Sequence, residues 1–236
     1  SELEDRGRTF LTQSDTEIIL HGYREWGDEL WEKLNGMFAV ALYDKHDESL
    51  RLVRDHFGIK PLYVAQPAKG QLLFSSEIKA LLATGKVRRL PNDKTIYRYL
   101  TFRIQDDGPE TFFEDITRVE SGQLWIVKNG KITKQRFTQL EEQLAHSKGG
   151  RAYEDAAVAE FAEAFKTSVT LRLQSEVPVG TSLSGGLDSS AVAAVIAEQL
   201  ADKKASKDIA GAVGAKQNTF SAVFPHSSND EEKYVD

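Results

Sequence analysis

The sequence predicts an α+β part followed by an α/β part, and three observations support this division. Over the first 140 residues, apolar or alternating runs of strand length occur in pairs around turn residues, which is typical of antiparallel hairpins. Near residue 140 the composition changes to a polar segment with a glycine pair. Beyond it, a strand-length run, a glycine-rich loop, a helical run and a second strand indicate a parallel βαβ unit. We therefore predict two domains, residues 1–140 and residues 141–236.

The helices of the first part are predicted from capping residues and apolar spacing. Ser14 and Asp15 are good N-cap residues for the stretch SDTEIILHGYREWG, whose apolar residues recur at helical spacing. A second short helix, DELWEKLNG, is expected to end at Gly36, and a third, EIKALLATG, at Gly85. Glycine is favoured just after the last helical turn because it adopts a positive φ without a steric penalty.

Three strand pairs are predicted in the first part. MFAVALYD and SLRLVRD pair around the turn KHDE, and PLYVA and QLLFSSE pair around QPAKG. The third pair surrounds Asn129-Gly130 in QLWIVKNGKITKQRF, which is the strongest hairpin signal in the chain. Antiparallel strands combined with helices place this part in the α+β class.

In the second part, EEQLAHSKGGRAYED is predicted to be a linker. The helix EDAAVAEFAEAFKTSVTLRLQ follows it, and we expect a core-facing stripe formed by Ala157, Phe161, Phe165 and Val169. A strand over 177–183, a helix over about 189–203 and the strand NTFSAVF complete the βαβ unit. The small polar segment between that helix and the last strand is expected to be a surface connection.

Composition excludes several classes of function. A hydrophobic fraction of 40% and a charged fraction of 28% are typical of an ordinary globular protein. The net charge of −6 argues against a general nucleic-acid partner, because no basic stripe is present to neutralise phosphates. The apolar runs are too short to span a bilayer, so no membrane partner is expected. The absence of cysteine excludes thiolate chemistry and disulfides within these residues, and the five histidines lack metal-ligand spacing.

The glycine-rich loop SGGLDSS lies at the carboxyl end of a predicted parallel strand, where such sheets bind ligands. Gly185 and Gly186 allow a sharp turn and the close approach of a ligand. The amide groups at the start of the following helix favour an anion. Ser184, Ser189 and Ser190 add hydroxyl donors, so the loop is predicted to bind phosphate groups.

Asp188 is the one acid of this loop and would repel a bare phosphate. Its presence is explained if it carries a cation such as Mg²⁺ that bridges to the phosphates, or if it only caps the helix. The loop is neither a Walker A sequence, which needs a lysine, nor a GxGxxG dinucleotide fingerprint. The competing interpretation is a glycine turn with a helix cap. The strand before the loop, the helix after it and the three serines favour a phosphate site.

The loop and its neighbours resemble a known family. SGGLDSS resembles the pyrophosphate loop SGGxDS of the N-type ATP pyrophosphatases, which split ATP into AMP and pyrophosphate. SDTEIILHGYREWG, LNGMFAVALYD, RDHFGIKPLY and FSSEIKALL resemble the second part of the glutaminase domain of class B asparagine synthetases. VPVGTSLSGGLDSSAVAAV and TFSAVFPHSSNDEEKYVD resemble the start of the synthetase domain of that family. The order and spacing of these blocks match across nearly the whole chain.

This resemblance implies an N-terminal-nucleophile αββα sandwich in the first part. It implies a Rossmann-like, adenine nucleotide α-hydrolase-like fold in the second. It also implies a ligase in which glutamine hydrolysis supplies ammonia, aspartate and Mg-ATP form β-aspartyl-AMP, and ammonia displaces AMP to give asparagine. The implied partners are aspartate, glutamine and ATP, with Mg²⁺ as the metal cofactor. A cytoplasmic location is expected, in agreement with the absence of cysteine, and a homodimer is left open.

Site residues follow from matching motifs. Asp15 matches the aspartate that holds the α-amino group of glutamine, and it is also a candidate N-cap. Asp188 matches the acid that works with Mg²⁺ and pyrophosphate. Arg54, Asp55 and Glu77 are expected to be buried polar residues that hold the fold through hydrogen bonds rather than to take part in catalysis. The implied ATP-binding residues, of which the first and last contact the AMP part largely through backbone, are Ser182, Leu183, Ser184, Gly185, Gly186, Asp188, Ser189, Ser190 and Ala222.

Several sequence motifs of the family are not present in this chain. The nucleophilic N-terminal cysteine, the Arg-His-Arg-Gly-Pro-Asp-like and Asn-Gly-Glu-like blocks of the glutamine pocket, and an SGEGSDE-like stretch are missing from these residues. We therefore expect an internal fragment that is incomplete for both half-reactions. Two alternatives stay open: an ATP-dependent amide-forming relative such as β-lactam synthetase, and a noncatalytic paralogue used as a scaffold.

Overall fold

The computed structural model describes residues 2–12, 14–146, 150, 154–175, 177–201, 213–214 and 216–224. The chain divides into two compact units, residues 1–148 and residues 149–236. The linker prediction is wrong for residues 141–146, because they belong to helix α6, Leu140–His146. No glycine or proline interrupts this stretch, and Leu140 and Leu144 are spaced one helical turn apart. Residues 147–149 and 151–153 of the predicted linker lie outside the described residues.

Two antiparallel sheets form the first unit. The larger sheet has the order β1-β2-β6-β7, and the smaller has the order β4-β3-β5. All three predicted hairpins are confirmed. Asn129 and Gly130 have φ angles of 52° and 72°, as a two-residue turn of this kind requires. The strands are β1 Ala39–Asp44, β2 Ser49–Arg54, β3 Tyr63–Ala65, β4 Leu73–Ser75, β5 Ile116–Arg118, β6 Gln123–Lys128 and β7 Lys131–Arg136.

Five further helices belong to the first unit: α1 Glu2–Asp5, α2 Asp15–Trp26, α3 Leu30–Lys33, α4 Ile78–Ala83 and α5 Asp93–Phe102. The prediction for Gly85 is confirmed, since it has a φ of 68° and its N–H donates to Leu82 O. The prediction for Gly36 is wrong, because α3 ends at Lys33. Leu34 is already extended there and packs against the core beneath α3. α5 and β5 were not predicted.

The core of the first unit is layered. Along β2, Val53 packs in a cluster with Leu30 and Trp31 of α3, whereas its neighbour Leu52 packs in a second cluster with Val64 of β3. Successive side chains of a strand point to opposite faces, so the larger sheet has helices on one side and the smaller sheet on the other. A further cluster joins α4 to the opposite face of the smaller sheet. The order is helix, sheet, sheet, helix, as the resemblance predicts.

The second unit contains α7 Asp155–Arg172, β8 Gly180–Ser182, α8 Leu187–Ala201 and β9 Asn218–Phe220. β8 and β9 pair in parallel, which confirms the predicted direction. Both strands are shorter than predicted. The predicted stripe on α7 is wrong at Phe161, whose side chain is 71% exposed, because the core cluster contacts only the carboxyl-terminal half of the helix. Most of the predicted surface connection lies outside the described residues.

No helix in the described part of the chain is both long and apolar enough to cross a bilayer.

Candidate functional site

The glycine-rich loop connects the carboxyl end of β8 to the first turn of α8. Leu183 N–H donates to Phe220 O at 2.9 Å, and Ser221 Oγ donates to Leu183 O at 2.6 Å, so the segment after β9 holds the start of the loop. Ala222 follows this contact, and Ser182 pairs with Phe220 in the parallel register. The structure therefore brings together the two segments that were predicted to contact AMP. Ser221 was not predicted, since a serine within a short strand carries no distinguishing signal.

Two serines lock the loop from inside. Ser189 Oγ accepts the Ser184 N–H at 3.2 Å, lies 3.0 Å from Ser184 Oγ and donates to Gly186 O at 3.2 Å. The hydroxyls of Ser184 and Ser189 thus hold the turn itself. The Ser190 side chain is exposed, and its hydroxyl has no hydrogen bond to another described residue. Of the three predicted donors, Ser190 is therefore the one whose hydroxyl does not hold the turn.

One of the two glycines of the loop meets a geometric need. Gly185 has a φ of 72°, a conformation that other residues adopt only with strain. A Cβ on Gly186 would stand 3.4 Å from Ser184 Oγ, inside the turn. Gly186 O accepts the Ser190 N–H at 3.1 Å, so helical bonding starts at Gly186 and the next three amides have no partner within the helix. These amides face the position where an anion is stabilised.

Asp188 lies inside the first turn of α8 and is exposed. The capping alternative is not supported, because the helix already begins one residue earlier, at Leu187. No described residue forms a hydrogen bond or an ion pair with its carboxylate, and the described residues contain no group of three side chains that would enclose a metal ion. A single carboxylate fits Mg²⁺, which keeps several waters and is held by one or two carboxylates together with substrate phosphates.

Asp15 is the first residue of α2 and lies at a cavity of about 670 Å³ in the first unit. Ser14 is the N-cap, since its Oγ accepts the Thr16 N–H at 3.3 Å, so the N-cap alternative for Asp15 is wrong. The exposed carboxylate is thus available to a ligand. β1 lines the same cavity, together with Lys60 and Ser76. Their blocks, RDHFGIKPLY and FSSEIKALL, were predicted to be structural, so sequence reasoning missed their proximity to Asp15.

Two neighbouring charged residues, the half-buried Arg54 and the buried Asp55, organise the RDHFGIKPLY block. The Asp55 carboxylate is 1% exposed and accepts four backbone N–H groups, at 2.9–3.2 Å, from Phe38, Phe57, Ile59 and Lys60. The Arg54 guanidinium donates to three backbone carbonyls, those of Gly58, Lys60 and Val119, at 2.6–2.8 Å. All of these partners belong to the backbone. The expectation of a buried structural residue is therefore confirmed for Asp55, whereas Arg54 has the structural role but is only half-buried.

Glu77 does not share this role. Its side chain is 57% exposed and pairs with Lys79 Nζ at 2.6 Å. The prediction of a buried structural residue is wrong here, because Glu77 precedes the first turn of α4 and the buried face of that short helix is formed by Leu81. Its carboxylate contacts solvent and a neighbouring lysine.

Comparison with known proteins places both units in families. Residues 1–138 match the glutamine amidotransferase domain family, and residues 160–236 match the asparagine synthase family. The first match covers more than half of the chain and includes Asp15. The second includes the whole glycine-rich loop.

Curated relatives extend the match across the boundary between the units. Glutamine-hydrolyzing asparagine synthetase 1 of Bacillus subtilis (strain 168) is 35% identical over 223 residues, which are 94% of this chain and 33% of that protein. Glutamine-hydrolyzing asparagine synthetase 2 of the same organism is 32% identical over 233 residues, 96% of this chain and 29% of that protein. The chain thus spans about a third of the length of the curated relatives it matches.

Similarity to solved structures is low. Glutamine phosphoribosylpyrophosphate amidotransferase from B. subtilis has a TM-score of 0.41 and 18% identity, with 84% of this chain and 40% of that chain covered. The assignment therefore rests on the sequence matches. On that basis the chain belongs to the glutamine amidotransferase family, and its residues 160–236 match the asparagine synthase family.

Proposed function

We propose that the full-length protein is a ligase that makes asparagine from aspartate, with glutamine as the nitrogen donor and ATP as the source of energy. In this reaction the aspartate side-chain carboxylate takes AMP from ATP and pyrophosphate leaves. Ammonia from glutamine then displaces AMP. The observation that carries this proposal is the glycine-rich loop at the carboxyl ends of β8 and β9, inside a segment that matches the asparagine synthase family.

Different residues of the loop would bind different parts of ATP. The free amides at the start of α8 and the Ser190 hydroxyl would bind the pyrophosphate part. Backbone groups of Ser182, Leu183 and Ala222 would contact the AMP part. Asp188 would hold Mg²⁺, which when bound neutralises charge on the departing pyrophosphate. The Ser184–Ser189 pair keeps the turn in shape and lets the amides face the anion before it binds.

Asp15 would serve the glutamine half-reaction. Its carboxylate is exposed at the cavity beside β1, where it would accept hydrogen bonds from the protonated α-amino group of glutamine. These 236 residues contain no cysteine, so the nucleophile that the family uses would lie elsewhere in the full-length protein. A cytoplasmic location and a homodimer stay predictions.

The decisive experiment incubates the full-length protein with ATP, Mg²⁺, aspartate and glutamine and measures asparagine, AMP and pyrophosphate. We expect all three products in equal amounts. Asp188→Asn is expected to lower AMP formation by about 100-fold or more, because the leaving group loses its metal ligand.

The matched control is Asp155→Asn, which removes an exposed aspartate from the first turn of α7 in the same unit. It should leave AMP formation unchanged. Equal activity of the two variants would remove Asp188 from the site. AMP formation that does not depend on aspartate, but appears with another carboxylic acid, would favour a different amide-forming ligase such as a β-lactam synthetase. Absence of ATP binding would favour the scaffold hypothesis.

A further inference from the structure

Glu17, in the first turn of α2, holds the segment that precedes its own helix. Its carboxylate accepts the Leu11 N–H at 2.8 Å, the Thr12 N–H at 2.7 Å and the Thr12 hydroxyl at 2.5 Å. We call Glu17, Leu11 and Thr12 the Glu17 clasp. Two of these hydrogen bonds hold Thr12 and one holds Leu11, so the clasp fixes the position of this segment relative to α2.

The clasp continues into the N-cap of α2. Thr12 Oγ1 donates to Glu17 and accepts the Ser14 N–H at 3.2 Å, so it joins the two residues. Ser14 in turn caps the helix through the Thr16 N–H, and its carbonyl accepts the Glu17 N–H at 3.0 Å. Asp15 follows Ser14 directly. A continuous path of hydrogen bonds therefore runs from Glu17 to the residue beside Asp15.

This arrangement differs from the one that the letters SDTE suggest. Serine followed three residues later by glutamate is the pattern of a capping box, in which the glutamate would accept the Ser14 N–H. Here Thr12 takes that N–H, and Glu17 reaches back to residues 11 and 12 instead. A capping box would stabilise the helix alone, whereas the observed contacts also fix the chain that leads into Asp15.

Glu17 is ionised under ordinary conditions. Hydrogen bonds from the Thr12 hydroxyl and the Leu11 amide lower the pKa of its carboxyl to about 2. His21, one turn further along α2, places Nε2 at 3.4 Å from the carboxylate. An ionised acceptor makes shorter and stronger hydrogen bonds than a neutral one. The clasp carboxylate is thus charged at neutral pH.

We propose that Glu17 is a positioning residue for glutamine binding, which acts through Thr12 and Ser14 on the placement of Asp15. The inference rests on the proposed role of Asp15 as the carboxylate that binds the α-amino group. Glu17 itself does not line the cavity beside Asp15, and its carboxylate bonds to the clasp. Placement matters because the hydrogen bond between a carboxylate and an ammonium group weakens when its distance and angle depart from the preferred geometry.

The test measures the glutaminase reaction of the full-length protein with Glu17→Gln. Glutamine has nearly the same shape, but its NH₂ group cannot accept a hydrogen bond, so at least one bond of the clasp is lost. We expect KM for glutamine to rise roughly 10-fold with little change in kcat, because binding rather than chemistry is affected. Competitive inhibition by L-glutamate, which carries an α-amino group, should weaken by the same factor. Inhibition by glutarate, which lacks that group, should not change.

Glu25→Gln is the matched control. Glu25 also lies on α2 and ties it to the preceding segment, but through Arg6 at 3.2 Å and Arg8 at 2.7 Å rather than through Thr12. Its variant should leave both inhibition constants unchanged. Equal weakening of L-glutamate and glutarate in Glu17→Gln would show general loosening and overturn the inference.

Two variants distinguish an error in the proposed role of Asp15 from an error in the positioning role of Glu17. If Asp15→Ala leaves KM for glutamine unchanged, Asp15 does not bind the substrate and the proposed role of that residue is wrong. If Asp15→Ala raises KM but Glu17→Gln does not, Asp15 keeps its role and only the positioning inference is overturned.

Discussion

Two motif loops of this chain each contain an aspartate, and the structure treats the two in opposite ways. In the loop after β2, Asp55 is buried and its carboxylate accepts four backbone N–H groups. In the loop after β8, Asp188 is exposed and bonds to no described residue, while the serines around it hold the turn. A buried and fully paired carboxylate has a structural role, whereas an exposed one beside free helix amides is available to a ligand.

The largest expected effect is a loss of stability on substitution of Asp55, which would distinguish it from Asp188. Asp55→Asn replaces one acceptor oxygen by an NH₂ group that faces backbone N–H donors, so two of them lose their partner in a buried site. We expect the free energy of unfolding to fall by about 3 kcal/mol, measured by urea denaturation followed through tryptophan fluorescence, since all three tryptophans lie in the first unit. Glu114→Gln, at an exposed acid of the same unit, should change it by less than about 0.5 kcal/mol. A loss no larger than that of the control would contradict the structural role.

A smaller effect is expected from the backbone of the second loop. Gly185→Ala places a Cβ on a residue with a φ of 72°, which should cost about 1–2 kcal/mol. The measurement is thermal unfolding followed by circular dichroism. Gly186→Ala is the comparison, because φ is not positive there and the added methyl group meets only Ser184 Oγ at 3.4 Å. If both variants are equally stable, the loop relaxes into another turn and its preformed shape is in doubt.

The smallest expected effect on stability is that of substituting Asp188, and it gives the clearest contrast with Asp55. Asp188→Asn should change the free energy of unfolding by less than about 0.5 kcal/mol, because the carboxylate is exposed and has no described partner. The same urea titration, followed by circular dichroism, would measure it. A loss of more than about 1 kcal/mol would indicate a structural role for Asp188 and would weaken its assignment to Mg²⁺.

Local sequence signals predicted the elements whose cause is local. Asn129-Gly130 specifies its hairpin because both residues tolerate a positive φ, and Ser14 caps α2 because its hydroxyl reaches an amide two residues away. α5 was not predicted, and three of its large apolar residues, Tyr97, Leu100 and Phe102, are more than 60% exposed. β5 is three residues long, too short for alternation to be recognised.

The sequence predicted which residue types form the candidate site, but not the hydrogen bonds between them. The glycines, serines and acid of SGGLDSS pointed to a phosphate loop before any fold was available. Which serine holds the turn and which faces solvent was decided by the path of the chain between β8 and α8. The role of Glu17 was likewise hidden, because SDTE has the letters of a capping box while the acid bonds to residues 11 and 12.

The sequence predicted the three hairpins, the N-cap at Ser14 and the glutamine amidotransferase family, because these depend on residues that are neighbours along the chain. Only the tertiary structure decided which backbone groups hold the charged side chains of Asp55 and Arg54. The Phe38 amide that helps to hold Asp55 lies 17 residues away along the chain, and the Val119 carbonyl that binds Arg54 lies 65 residues away. Burial and pairing at such separations depend on how sheets and helices pack. The periodicity of the sequence does not predict these long-range partners.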